Sequence, residues 1–89
     1  MLSYDLVDNY LQRRAEFRVE HLGLAKASLE RGELRLGGAF ADPADTAVLV
    51  FLSPDRSVAE DFAKADPYVR EGIVKDWSVR EWTVVIGAD

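Results

Sequence analysis

Ala47-Val48-Leu49-Val50-Phe51-Leu52 is apolar at every position. A strand with one wet face alternates apolar and polar residues, so the unbroken run predicts a strand, Ala47 to Leu52, covered on both faces. Just upstream, Leu34, Leu36 and Phe40 alternate around Gly37-Gly38, and Asp42-Pro43-Ala44-Asp45 carries turn chemistry. The two strands form a hairpin. Towards the start, Leu2, Tyr4, Leu6 and, past Asp8, Tyr10 fall on alternate positions, which predicts a strand over residues 2–9. From Gln12 to Arg31 the apolar spacing is helical, and it ends at Gly32, a residue suited to a left-handed helix stop.

Downstream of the hairpin, Ser53-Pro54-Asp55 is helix-start chemistry, with Ser53 or Asp55 as cap and Pro54 in the first turn. Val58 and Phe62 mark a second helix that stops near Asp66-Pro67, because proline disfavours helical backbone in the residue before it. Ile73 to Ile86 reads as the last strand. Its apolar residues switch from odd positions (Ile73, Trp77, Val79) to even ones (Trp82, Val84, Ile86), which predicts a bulge near Arg80 or an extension that leaves the home sheet. The order strand, helix, strand, strand, helix, strand predicts an α+β sandwich of ferredoxin-like topology, with two helices on one face of an antiparallel sheet. The apolar third strand then predicts a homodimer packed through the open sheet face.

Composition narrows the function. The 89 residues fit one domain, 1–89, able to bury only about 60 per cent of its unfolded surface. With no cysteine and a single histidine, no thiolate or histidine-cluster metal site is available and no cofactor is expected. The net charge of −5 opposes nucleic-acid binding. Asp5 and Asp8 near the start and the lack of any long apolar run predict neither signal peptide nor membrane span, hence a cytoplasmic protein.

The single histidine, His21, falls in the middle of the inward half of the first helix, flanked by Arg14 and Arg18 at spacings that bring all three within reach of one ligand. Polar groups aimed inward need partners. In the plainest reading, His21 is a core group bonded to a backbone carbonyl, the arginines send their heads to water, and Asp66 caps a turn ahead of Pro67. If the Asp66 carboxylate instead meets His21, it holds one imidazole tautomer and the pair becomes a candidate general acid/base.

Arg14, Arg18 and His21, the Gly37-Gly38 strand, the Asp66-Pro67-Tyr68 turn with Gly72, and the closing Trp77-Ser78-Val79-Arg80-Glu81-Trp82 together resemble the YciI-like (YCII-related) proteins. The resemblance covers nearly the whole chain. It implies a ferredoxin-like fold dimerised as in the α+β barrel superfamily that includes muconolactone isomerase. It also implies a cleft whose His21 and Asp66 form the centre of a catalytic site. One branch of the family is associated with dechlorination of a chlorinated hydroxyhydroquinone. Gly38-Ala39-Phe40 departs from the family pattern, in which a glycine-proline pair is common.

Three readings follow. In the first, a small-molecule enzyme of isomerase, dehalogenase or lyase type uses His21 for proton exchange and Asp66 to orient it. Arg18 and Arg14 bind an anionic oxygen of a cyclic or aromatic substrate, and Tyr68 or Ser28 adds a hydrogen bond at the pocket wall. In the second, a non-catalytic dimeric accessory module holds a small anionic metabolite in the same cleft. In the third, the pair is purely structural.

Overall fold

A computed structural model of the chain describes residues 1–87; the last two residues of the domain expected over 1–89 lie outside the described part. The elements are β1 (Leu2–Leu6), α1 (Tyr10–Arg13), a 3-10 turn (Arg14–Glu16), α2 (Arg18–Glu30), β2 (Leu34–Ala39), β3 (Thr46–Phe51), α3 (Ser57–Ala65), α4 (Pro67–Arg70) and β4 (Val74–Val79). The four strands form one antiparallel sheet in the order β2-β3-β1-β4, the βαββαβ ferredoxin-like arrangement. Leu2, Tyr4 and Leu6 from the central β1 and Ala47 and Leu49 from β3 are buried beneath the helices with Phe62, Tyr68 and Ile73.

The helix stop at Gly32 forms as its chemistry demands. Gly32 takes φ 79°, its N–H donates to the Leu29 carbonyl, and the Glu33 N–H donates to the Ser28 carbonyl, both at 3.0 Å. These are the two bonds of a Schellman stop. At the other helical boundary Pro67 forces Asp66 to an extended backbone (φ −72°, ψ 124°), which ends α3 and starts α4. Neither Ser53 nor Asp55 is the cap of α3, because Arg56 holds the N-cap position without a side-chain bond; Asp55, one residue earlier, accepts from the Ser57 N–H at 2.9 Å.

Four further expectations are corrected. The first strand ends at Leu6 rather than at residue 9, since Val7 bonds Ile73 and Tyr10 turns back on Val7 to begin α1. The helix expected over 12–31 is broken, with a non-helical residue at Phe17 (φ −112°, ψ 4°). Arg13 ties α1 to the Glu71 and Gly72 carbonyls, whereas Phe17 packs on the core, and the link between the two anchors tightens to a 3-10 turn. The buried stripe of α2 is narrower than half the helix, for Leu22 and Leu29 are 47% and 53% exposed. Strand β4 runs from Val74 to Val79 rather than from Ile73 to Ile86, and the switch in apolar positions is an extension that leaves the sheet: past the Arg80-to-Met1 backbone bond, Trp82, Val84 and Ile86 are exposed.

The third strand buries Ala47 and Leu49 but only half-buries Val48 and Val50. Pairing places Val48 and Val50 on the helix-free face together with Leu36, Gly38 and Phe40. Within one chain that face is open. Truncating Leu2, which is fully buried in the central strand, to Ala is expected to cost about 2–5 kcal/mol in urea unfolding. Val19→Ala, at a position 88% exposed on α2, is expected to be neutral or stabilising by a few tenths.

Candidate active site

The extended backbone that Pro67 imposes on Asp66 turns its carboxylate back over the start of α4, where Oδ1 accepts from the Tyr68 N–H at 3.0 Å. The same carboxylate meets two further donors. Tyr4, rising from β1, donates its hydroxyl to Oδ2 at 2.8 Å, and His21 Nδ1 on α2 lies 2.9 Å from both oxygens. Asp66 is thus the cap of the plain reading and the histidine partner of the functional one. It is completely buried. A buried carboxylate is tolerable only with such donors around it.

An ionised carboxylate only accepts hydrogen bonds, so the proton of a neutral His21 sits on Nδ1 and its Nε2 lone pair is free. The ring is fixed on both sides: Tyr68 stacks on it at 3.9 Å and 6°, and Phe62 meets it edge-on at 6.4 Å. The His21 side chain remains 16% exposed, at the wall of a cleft of about 280 Å³ between α1–α2 and strands β1 to β3. Arg14 and Arg18 line the same cleft. Arg14 is half-buried and donates to the Tyr10 hydroxyl at 3.4 Å, whereas Arg18 is exposed and unpaired among the described residues. A wider depression of about 440 Å³ beside Asp8 and Asp45 has no histidine, lysine or arginine in its lining.

Tyr68 lines the cleft as well, with a buried hydroxyl that has no hydrogen-bond partner among the described residues. Burial, then neighbouring Tyr10, push its pKa up, while Arg18 and Arg14 pull the other way. Ser28 is not brought to the cleft. It lies two turns beyond His21, buried, its hydroxyl also without a partner among the described residues. Tyr4 is the site residue that the sequence reading passed over, although an inward tyrosine on a strand needs a partner for its hydroxyl. Among the described residues no group of three or more candidate metal ligands occurs.

Burial, then the Asp66 charge and the hydrogen bond to it, raise the Tyr4 pKa far above its ordinary value. A raised folded-state pKa means that this stabilisation is whole below the unfolded value of about 10 and drains away as pH climbs past it. Tyr4→Phe is expected to cost about 1.5–3 kcal/mol at neutral pH and to flatten the alkaline loss of stability. Urea unfolding from neutrality to above pH 10 measures both; a mutant curve as steep as wild type would remove Tyr4 from this role.

Among curated proteins no sequence match reaches significance. Among solved structures, 5-chloro-2-hydroxyhydroquinone dehydrochlorinase from Burkholderia phenoliruptrix AC1100, in complex with 2,5-dihydroxybenzoquinone, superposes with a TM-score of 0.73 at 17% identity. The alignment covers 93% of this chain and 94% of that one, so the two share a fold. The model of the YCII-related domain matches residues 1–83, and the chain belongs to that family.

Proposed function

We propose that this protein is a small-molecule enzyme in which His21 exchanges a proton with an anionic cyclic or aromatic substrate. The observation that carries the reading is an imidazole locked through Nδ1 by a buried carboxylate, with Nε2 free beside a cleft that holds two arginines. His21 Nε2 removes a proton from an acidic C–H or O–H, and Asp66 balances the imidazolium that forms. The freed electron pair moves towards an oxygen held by Arg18 and Arg14. Return of the proton at another position gives isomerisation. Departure of a leaving group with its bonding pair gives elimination. The fold relative supports the class, being a dehydrochlorinase bound to a flat, oxygen-bearing ring.

The working unit in this reading is a cytoplasmic homodimer packed through the open sheet face. Leu36, Phe40 and Leu52, each 58% exposed or more, continue the stripe of Val48 and Val50 on that face. An apolar patch of this kind is self-complementary across a two-fold axis.

Thermal-shift screening of small cyclic acids, with 2,5-dihydroxybenzoquinone among them, is expected to find rings that raise the wild-type melting temperature. Arg18→Ala is expected to weaken that binding roughly tenfold. With a substrate found this way, His21→Gln is expected to lower kcat about 10²–10⁴-fold while the ring still binds. Undiminished turnover in His21→Gln would defeat the acid/base role, and binding with no turnover in wild type would assign the accessory role instead. Sedimentation is expected to show a dimer that Val50→Asp dissociates; a monomeric wild type would sink the interface.

A further inference from the structure

Tyr4 donates its hydroxyl to Asp66 at 2.8 Å and Tyr10 accepts from Arg14 at 3.4 Å, whereas the buried hydroxyl of Tyr68 has no partner among the described residues. A buried tyrosine hydroxyl usually finds one. Tyr68 is not free to turn towards a partner. Its N–H is bound to Asp66, its carbonyl accepts from the Ile73 N–H at 2.9 Å, and its ring packs on His21 by stacking and on Tyr10 at 87°. Arg18 and Arg14 line the same cleft and act on the hydroxyl by charge. Arginine carries donors only, so neither can take the Tyr68 proton. The acceptor that fits is an oxygen of a molecule bound in the cleft.

We infer that Tyr68 is a second catalytic residue, whose hydroxyl gives its proton to the substrate oxygen that gains charge while His21 Nε2 takes one from carbon. The inference rests on the proposed function and supplies the acid that works with its base. The C–H bond breaks with its proton going to Nε2, and its electron pair forms a carbon–carbon double bond as the carbonyl π pair moves onto oxygen. The Tyr68 O–H bond breaks in the same step and a new O–H bond forms on the substrate. The tyrosinate left behind lies in the field of Arg18 and Arg14, which favours it. In the second half of the turnover the carbonyl re-forms, Tyr68 recovers its proton from the enol, and His21 returns its own to carbon. Burial holds the resting hydroxyl above the ordinary tyrosine pKa, so at neutral pH the proton is there to give. Arg14 is held by a single hydrogen bond of 3.4 Å and Arg18 is exposed, so both can turn towards an incoming anion and open the approach to the hydroxyl.

Tyr68→Phe keeps the ring on His21 and the N–H on Asp66 and removes only the oxygen. Its urea unfolding midpoint is expected to be unchanged or raised, because no hydrogen bond within the protein is lost. Deuterium uptake from heavy water beside the ketone of 3-oxocyclohexanecarboxylate, followed by NMR, reads proton abstraction from carbon. Wild type is expected to speed uptake above the buffer rate, and Tyr68→Phe to lower the saturated rate about 10²–10³-fold, with the half-saturating concentration changed far less. Equal uptake by wild type and a folded Tyr68→Phe overturns the inference, and loss of uptake in His21→Gln in the same assay then leaves the acid/base reading standing without it. A Tyr68→Phe chain that fails to fold makes the hydroxyl structural and overturns the inference alone. A wild type that promotes no uptake overturns both.

Discussion

The buried carboxylate of Asp66 is the point on which the structure turns. Three donors reach it from three separate elements: the Tyr4 hydroxyl from β1, the His21 imidazole from α2 and the Tyr68 amide from α4. Leaving such a charge without partners costs several kcal/mol, comparable with the whole stability of a domain this size. Sheet, long helix and the start of α4 are therefore held in one relative position by a polar contact, inside a core that is otherwise apolar.

The same contact orders the imidazole. A histidine that is only buried has two ring nitrogens and a tautomer fixed by whatever lies nearby. His21 has its tautomer set by a carboxylate, its face covered by Tyr68 and its edge pressed by Phe62, so one nitrogen alone is left for outside work. Arg14 and Arg18 line the cleft beside it without joining the carboxylate, whose oxygens are already occupied by the other donors. Positive charge at the mouth is thus available for an incoming anion.

Features governed by local chemistry were legible in the sequence. Gly32 stops a helix wherever it stands after one, Pro67 makes Asp66 extended, and the alternation of Leu2, Tyr4 and Leu6 identifies the inward face of β1. The βαββαβ order followed from such signals, whereas the meeting of His21 with Asp66 was implied by the family resemblance. What stayed hidden depends on groups distant in the chain. The break at Phe17 reflects Arg13 reaching the Glu71 and Gly72 carbonyls, and the length of β4 reflects its pairing with β1, which closes with the bond from Arg80 to Met1. Helical periodicity alone also turned Leu22 and Leu29 inward and offered Ser28 as a pocket wall, because it cannot show where a cleft opens between α2 and the sheet.

Asp66 and its donors are anchored to the centre of the fold, whereas the cleft floor is β2, an edge strand of the sheet. Substitutions on an edge strand rearrange few neighbours. The outer lining of the cleft can therefore change over generations while the buried contact beneath α2 is inherited intact.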